Sequence, residues 1–364
     1  GIILEGLTVK NSTGDTELKA GEDYSAAFDS TTGFLTITML AGGKGAAATA
    51  IKVSGKVIDP SKVTKEDVIG AADPSTGAET GAQVIRQVYP RLGIVPGLIL
   101  APGWSQIPEV GLALAAKAAK INGVYSAMAL LDLDTAKAKK YTDTKSVKEE
   151  SGYTSPFCYP LWPCDRVGEY ILAKSAVAGA MIQYMASDNE DVPNQSPSNH
   201  LLGVGGQCLE DGTEVYLDQD QANTVNGYGV TTAINQNGYR LWGNYTGAYP
   251  ASSDAKDIWF AVRRMFSWQG NNFIQTYFDE VDDPMNNVLV QSVVDSENIR
   301  CSAYAPKYWA GASIEYKSDD NPKTAILAGT MKFRQHIAPY TPAQEIVDII
   351  DYDTDTLAAA VGGN

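Results

Sequence analysis

The sequence predicts an α/β protein of multidomain α+β organisation, in which a helix-covered mixed sheet follows a small antiparallel β-rich inserted domain. Short alternating runs punctuated by Gly, Asp and Asn fill residues 1–58, a pattern typical of antiparallel strands. From residue 81, buried-strand segments alternate with helical ones, which favours a parallel or mixed sheet covered by helices. The length of 364 residues exceeds what one core usually takes, so we expect two or three domains.

The predicted β-rich domain, residues 1–58, contains apolar–polar alternation at 34–39 and 50–54. Between two such runs, residues 29–33 have the composition of a hairpin turn. We therefore expect a small sandwich or barrel here. Residues 59–80 are polar and Pro-containing, and they are expected to form a connector with one short helical turn.

The α/β core is assigned to residues 81–321. Segments 97–102 and 126–132 predict buried strands, and 156–163 predicts a third. Ser105 is the expected N-cap of a helix with Pro108 in its first turn. Further helices are predicted over 167–186 and 256–268, and residues 187–256 are expected to hold short strands at best.

The C-terminal region, residues 322–364, is expected to contain strands at 324–337 and 345–352 and to end in an arm. Strand 345–352 has apolar residues on both faces, which suits a strand lying between other elements. It is either an internal strand of the molecule's own sheet or part of an interface. For residues 354–364 we expect strand donation to a neighbouring molecule, because too little apolar surface remains there to fold alone.

The composition argues against several functional classes. The net charge of −15 and the absence of a Lys/Arg run exclude a generic nucleic-acid binder. No apolar stretch reaches 18 residues, so no membrane insertion is expected. Four cysteines without a CxxC pair are expected to be free thiols in a reducing cytoplasm; a Cys158–Cys164 bridge is the other possibility.

Candidate catalytic residues are few. The two histidines, His200 and His336, stand in unlike contexts, and no Ser-His-Asp or Cys-His arrangement is recognisable around them. The Gly-rich runs lack phosphate-loop or dinucleotide spacing. We therefore predict no catalytic residue, no cofactor and no metal. Arg263 and Arg264 either cap the rim of a helix or form an interdomain or intersubunit ion pair.

Several segments in order along nearly the whole chain resemble the tail sheath family of contractile phages and related bacteriocin particles. The most recognisable is 96–105 (PGLILAPGWS), followed by 238–244 (GYRLWGN) and by 262–265 (VRRM) with Trp268. The C-terminal segments MKF at 331–333 and PAQEI at 342–346 are similar to the end of that family. Family members begin with an N-terminal arm and further α/β strands, so this chain is expected to be N-terminally truncated.

The resemblance implies a structural, self-assembling protein of a phage or prophage injection machine. Subunits would form six-fold rings in a helical sheath around a tail tube and would contract on a baseplate trigger, without nucleotide hydrolysis, direct nucleic-acid contact or membrane insertion. The expected location is the virion tail, after synthesis in the bacterial host cytoplasm. Residues expected at subunit interfaces are Arg263, Arg264, Ile346, Ile350, Tyr352, Leu357 and Val361.

Two alternatives compete with this hypothesis. The first is an α/β enzyme, an oxidoreductase or hydrolase, with an appended β-domain; it would need a cofactor fingerprint or a catalytic triad. The second is a secreted carbohydrate-binding or surface-layer protein, which the Tyr-, Asn- and Gly-rich residues 216–249 would suit.

Overall fold

The alternating N-terminal segments form two small antiparallel sheets. The computed structural model describes residues 2–29, 32–57 and 59–362, and the chain divides into two compact units, residues 1–64 and 65–364. In the first unit the sheets are β2–β1–β5 and β3–β4, which share a buried core of Val9, Leu18 and Tyr24. The elements are β1 (Ile2–Asn11), β2 (Glu17–Leu18), β3 (Tyr24–Phe28), β4 (Leu35–Met39), β5 (Ile51–Val57) and a 3₁₀ turn (Pro60–Lys62).

The predicted hairpin turn joins β3 to β4. The Asp29 amide donates to the Phe34 carbonyl over 3.0 Å, and the Gly33 amide donates back to Asp29 over 2.8 Å. Gly33 has a φ of 71°, a left-handed conformation that costs glycine little. Ser30 and Thr31 lie outside the described residues. The turn prediction is confirmed for the residues on either side of them.

A parallel three-stranded sheet, in the order β6–β7–β8, is the centre of the second unit. All five residues of β7 are buried, as the apolar run at 126–132 predicts. The elements up to this sheet's last strand are α1 (Lys65–Ile69), a 3₁₀ segment (Gly81–Gln87), α2 (Val88–Leu92), β6 (Leu98–Leu100), α3 (Pro108–Ala119), β7 (Met128–Asp132), a 3₁₀ turn (Tyr141–Asp143), α4 (Thr144–Ser151) and β8 (Cys158–Leu161).

Helices cover both faces of this sheet. Ala129 and Leu131 of β7 belong to one core cluster together with Val110 and Leu114 of α3. Met128 and Leu130, which alternate with them, belong to a second cluster. Residues of helix α5 (Lys174–Ser187) pack in that second cluster. Because successive side chains of a strand point to opposite faces, α3 and α5 lie on opposite sides of the sheet, and the predicted helix-covered sheet is confirmed.

The helix predicted over 167–186 starts later than expected. Residues 164–172 instead form a hairpin, in which Val167 pairs with Tyr170. Gly168 in the two-residue turn has a φ of 59°, which permits the tight reversal. The elements in this region are β9 (Cys164–Val167), β10 (Tyr170–Leu172), α5, β11 (Gly206–Cys208), α6 (Gln219–Gly227), β12 (Thr232–Asn235) and β13 (Tyr239–Trp242).

The C-terminal third is more helical than the sequence patterns predict. The predicted helix 256–268 is two helices, α7 and the longer α8, and residues 324–337 form a short helix before a strand. The elements are α7 (Ala255–Ile258), α8 (Phe260–Thr276), a 3₁₀ turn (Phe278–Glu280), α9 (Asn287–Tyr304), β14 (Trp309–Glu315), a 3₁₀ turn (Ser318–Asp320), α10 (Lys323–Leu327), β15 (Arg334–Pro339) and α11 (Thr354–Ala360).

The expected N-cap of α3 is wrong. The helix begins at Pro108 with Ile107 at the cap position and without a side-chain cap bond. Ser105 instead donates from its Oγ to the buried Asp132 carboxylate over 2.9 Å. A buried carboxylate needs hydrogen-bond donors more than an exposed helix end does. None of the described helices is both long and apolar enough to cross a membrane.

Candidate subunit interface

After β15 the chain continues as an extended segment that its own fold does not cover. Residues 345–352, all of them described, form neither helix nor strand, so the predicted strand is absent here. Ile346 is 89% exposed and Ile350 is 86% exposed; Tyr352 is also exposed. A strand needs a partner for its backbone groups, and none of the described strands pairs with these residues. We call residues 343–353 the C-terminal segment.

A hydrogen bond holds the chain in place just before the C-terminal segment begins. The Tyr340 hydroxyl donates to the Pro306 carbonyl over 3.0 Å. The Tyr245 ring stacks on those of Tyr249 and Trp259. Beyond Gln344 the side chains are exposed, and four of them are Ile or Val. Monomeric proteins rarely expose such a contiguous apolar stretch, so the segment is a candidate contact surface.

Residues 354–360 form a helix rather than the strand expected for the distal arm. Asp353 caps α11, accepting from the Thr356 amide over 2.9 Å and from the Thr356 hydroxyl over 2.6 Å. Leu357 and Val361 are exposed on and after this helix. The Asp-x-x-Thr pattern gives the first helical turn a local hydrogen-bond partner that the apolar pattern did not reveal.

Several strands of the second unit lie at sheet edges, and two of these places are considered next. Strand β6 pairs only with β7, and strands β14 and β15 pair only with each other among the described residues. An open edge carries unpaired N–H and C=O groups that can accept a further strand. Both edges are therefore places where a neighbouring chain could bind.

A groove of about 740 Å³ runs along the β6 edge. Residues 93–98 and Leu100 form one wall, and Gly179, Gln183 and Ala186 of α5 contribute another. Helix α8 contributes residues spaced three or four apart, which share one face of a helix. The sequence contains this spacing, but the sequence analysis followed the apolar residues of α8 and did not identify the polar ones. The α8 residues that line the groove are Arg264, Ser267, Trp268, Asn271, Asn272 and Gln275.

Arg264 lines this groove without a carboxylate partner among the described residues. Its guanidinium lies 5.6 Å from the centre of the Phe260 ring, and the arginine ion pairs of the described residues involve other arginines. Burial lowers the pKa of Arg264 to about 10, while the Tyr159 hydroxyl group acts in the opposite direction. The side chain therefore stays charged at neutral pH, half-buried and uncompensated.

Arg263 differs from its neighbour. Its Nη1 lies 3.2 Å from Asp257 Oδ1, and its guanidinium stacks 4.5 Å from the centre of the Phe157 ring. Burial lowers its pKa, while Asp257 opposes that shift. Arg263 thus forms an ion pair within the second unit, between residues six apart in sequence.

The carboxyl ends of the parallel strands hold a buried polar cluster, which is where α/β enzymes bind their ligands. Asp132 accepts from the Ser105 hydroxyl over 2.9 Å, and from the Ser175 amide over 2.8 Å and hydroxyl over 2.5 Å. Burial raises the Asp132 pKa, and these donors oppose the rise. Lys174 forms a fully buried ion pair with Asp165. These hydrogen bonds and this ion pair hold the start of α5 against the sheets.

Neither histidine hydrogen-bonds to this cluster within the part of the chain that the structure describes. His336 lies 3.0 Å from Glu315 across the β14–β15 hairpin. His200 is exposed in a loop, and partial burial of its ring lowers its pKa. All four cysteines are free thiols, so the alternative Cys158–Cys164 bridge is not formed; Cys164 lies opposite Cys208 instead. Among the described residues, no group of three or more potential ligands is placed to hold a metal.

Comparison with known proteins favours the structural hypothesis. No family model matches the chain. The chain is 26% identical, over 98% of its length, to the tail sheath protein of Burkholderia phage BcepMu and spans 76% of that protein. The chain is therefore similar to tail sheath proteins along nearly its whole length. It is a structural subunit of a contractile tail sheath.

Two further tail sheath proteins are similar to this chain. The tail sheath protein of Escherichia phage P2 is 24% identical over 78% of this chain and 69% of its own. A putative prophage major tail sheath protein of Pseudomonas aeruginosa is 29% identical over 60% of this chain and 54% of its own.

Solved sheath structures share the fold. The contracted sheath complex of the extracellular contractile injection system PVC superposes with a TM-score of 0.59 at 17% identity, over 76% of each chain. The contracted helical sheath of the anti-feeding prophage gives a TM-score of 0.57 at 18% identity, over 78% of this chain and 76% of that chain. At these identities the likeness establishes the fold alone.

Proposed function

We propose that copies of this chain stack in six-fold rings around a tail tube and shorten the sheath after a baseplate trigger, driving the tube through a target envelope. The observation that carries the proposal is the exposed, apolar C-terminal segment. Its Ile and Val side chains have no partner within the described chain, and a neighbouring subunit would bury them. Each buried Ile or Val contributes about 1.5–3 kcal/mol, so repeated contacts of this kind can hold a lattice together.

The C-terminal segment is suited to connect subunits that move. Eleven residues, 343–353, reach roughly 35 Å when extended, so one copy can remain attached to another while the folded units shift. A segment bound by strand addition keeps its backbone hydrogen bonds during such a shift. In this proposal Ile346, Ile350 and Tyr352 contact the neighbour directly, and Leu357 and Val361 of the α11 region extend the same contact.

Contraction in this proposal draws its energy from subunit contacts that are better packed in the short state than in the long one. No step hydrolyses a nucleotide. The polar groups at the carboxyl ends of the parallel strands support this proposal, because Asp132 and Lys174 are committed to partners inside the fold. The virion tail is the proposed location, and tube and baseplate proteins are the proposed partners.

The test is deletion of residues 343–364 in particles produced from the native gene cluster. Because these residues are exposed, we expect the urea unfolding midpoint of the purified chain to stay the same while sheaths disappear from electron micrographs. A matched control keeps the length and replaces only the exposed Ile346 and Ile350 by Ser, which should weaken assembly in the same direction. Normal sheaths from both variants would contradict the proposed connection, and a large loss of chain stability would assign the segment to the chain's own fold.

The enzymatic alternative has its own test. The purified chain should hydrolyse nucleotides and simple esters at background rates. A robust activity that is lost in His200→Ala or Asp282→Ala would contradict the structural role.

A further inference from the structure

Two free cysteines face each other across neighbouring antiparallel strands. Cys164 of β9 lies directly opposite Cys208 of β11 in the register of the two strands. The Gln207 carbonyl accepts from the Val215 amide over 2.9 Å, on the side of β11 away from β9. Because successive residues of a strand direct their backbone groups to opposite sides, Cys208 directs its own towards β9. Cys164 and Cys208 are therefore a hydrogen-bonded pair.

The spacing of this pair suits a disulfide. Opposite residues in a hydrogen-bonded antiparallel pair have Cα atoms about 5.5 Å apart, and their side chains lie on the same face of the sheet. Disulfides join residues whose Cα atoms are about 4.4–6.8 Å apart. The other two thiols have different neighbours, since Cys158 pairs in register with Ala129 of β7 and the Cys301 Sγ lies 3.8 Å from the Glu297 carboxylate.

A pocket of about 300 Å³ leads to one of the two thiols. Cys164 lines this pocket, and Ile171 and Leu172 of β10 form part of its apolar wall. Cys208 is fully buried. A small reagent in the pocket therefore meets Cys164 first, and Cys208 is placed to attack the adduct from the neighbouring strand. This is the order of events that thiol–disulfide exchange requires.

We propose that Cys164 and Cys208 form an intrachain disulfide when the chain meets a small-molecule disulfide outside a reducing compartment. The Cys164 thiolate attacks one sulfur of the reagent, which forms a mixed disulfide and releases one thiolate. The Cys208 thiolate then attacks the Cys164 sulfur and displaces the second thiolate. Two electrons pass from the cysteine sulfurs to the reagent, and the two protons that the cysteines lose convert its halves to thiols.

The bond would fasten the helix that covers one face of the central sheet. Residues 165–207, between the two cysteines, contain β10 and α5, and α5 packs in the core cluster of that face. A bond that closes this loop restricts the unfolded chain, so oxidation should lower the unfolding equilibrium constant roughly a hundredfold. A particle outside its host cell would gain this resistance; that setting rests on the proposed function, whereas the reaction of the isolated chain does not.

The surroundings of Cys164 make the reaction slow at neutral pH. Burial raises the pKa of the Cys164 thiol to about 12; Asp132, Cys208 and Glu210 act in the same direction, and Lys174 opposes them. The thiolate is the attacking species, so the rate should rise about tenfold for each pH unit below this pKa. The same shift keeps both thiols reduced during brief exposure to an oxidant.

Treatment of the purified full chain with hydroxyethyl disulfide at pH 9, followed by alkylation of the remaining thiols, tests the pairing. Trypsin leaves Cys158 and Cys164 together in residues 149–166 and places Cys208 in residues 175–240. Peptide mapping is therefore done on Cys158→Ala, which should yield these two peptides joined by a reducible bond. Tandem mass spectrometry of the unchanged chain should locate the bond at Cys164 and gives the same assignment without a substitution.

Urea unfolding supplies the second readout. Oxidation should raise the unfolding midpoint of the unchanged chain, and dithiothreitol should reverse the rise. Cys164→Ala and Cys208→Ala should show no rise, whereas Cys301→Ala, the matched control, should behave as the unchanged chain. A reaction that stops at the mixed disulfide, a bond that involves Cys158 or Cys301, or a joined pair that leaves the midpoint unchanged would overturn the proposal. None of these results bears on the sheath role, which the deletion of residues 343–364 tests separately.

Discussion

Lys148 of α4 offers the sharpest test of how the sheath core is held together. Its ammonium group is buried, with 3% of the residue exposed, and donates to the carbonyls of Tyr228 and Tyr249 over 3.0 and 2.5 Å. The lysine ion pairs of the described residues do not include Lys148. Burial lowers the pKa of Lys148 to about 8. The charged form is therefore less stable in the folded chain than in the unfolded one.

The sign of the pH dependence follows from this shift. Between pH 8 and 10.5 the unfolded chain keeps a proton on Lys148 that the folded chain has released, so stability rises with pH across this window. Below pH 8 both states hold the proton, and burial of the charge costs about 3 kcal/mol relative to a neutral amine. Between pH 7 and 9.5 the linkage relation gives a recovery of about 2 kcal/mol.

Urea unfolding of the unchanged chain and of Lys148→Met at both pH values isolates this contribution. Methionine keeps a similar length without a charge, and its loss of two hydrogen bonds does not depend on pH in this range. We expect the difference in unfolding free energy to shift by about 2 kcal/mol in favour of the unchanged chain at pH 9.5. A difference that stays constant from pH 7 to 9.5 would refute the argument, because Lys148 would then titrate at its ordinary pKa.

Three further substitutions test the packing of the core. Gly111→Ala should destabilise the chain by about 1–3 kcal/mol in urea unfolding, because the new Cβ overlaps the Tyr153 hydroxyl; an unchanged midpoint would contradict this close approach. Leu130→Ala, at a fully buried position of β7, should cost about 2–5 kcal/mol, and a loss below 1 kcal/mol would show that the site is loosely packed. Lys174→Met alone should cost about 3–5 kcal/mol because it leaves Asp165 buried and unpaired; adding Asp165→Leu should restore much of that loss, and strictly additive losses would count against a buried pair.

Patterns of local origin were readable in the sequence. The apolar run at 126–132 predicts β7, the punctuation at 29–33 predicts a hairpin turn, and the stripe beginning at Val110 predicts α3. Each depends on residues close in the chain, whose periodicity or turn preference is enough to select one structure. Apolar periodicity did not predict helix α9, because its buried face includes the carboxylate of Glu297, which interrupts the apolar stripe. Glu297 is held by Arg300 and Gln269, a pairing that apolar periodicity does not show.

The C-terminal prediction failed for a related reason. Residues 345–352 have the composition of a strand, but a strand also needs an edge to pair with, and only the fold decides which edges are free. Within one chain the segment stays extended and exposed. The same rule places Cys164 opposite Cys208, through the register of β9 and β11, rather than beside Cys158, its nearer neighbour in sequence.

The sequence by itself indicated the resemblance to tail sheath proteins, the α+β class and the positions of the central strands and of helix α3, because collinear motifs and short-range periodicity can be read without coordinates. The tertiary structure alone decided which polar groups are satisfied. Ser105 caps no helix and binds Asp132, and Arg263 pairs with Asp257. Arg264, the next residue, lines a groove without a counter-ion. Charge pairing depends on distances between segments that the chain brings together only on folding, so two adjacent arginines with the same local sequence pattern acquire different roles.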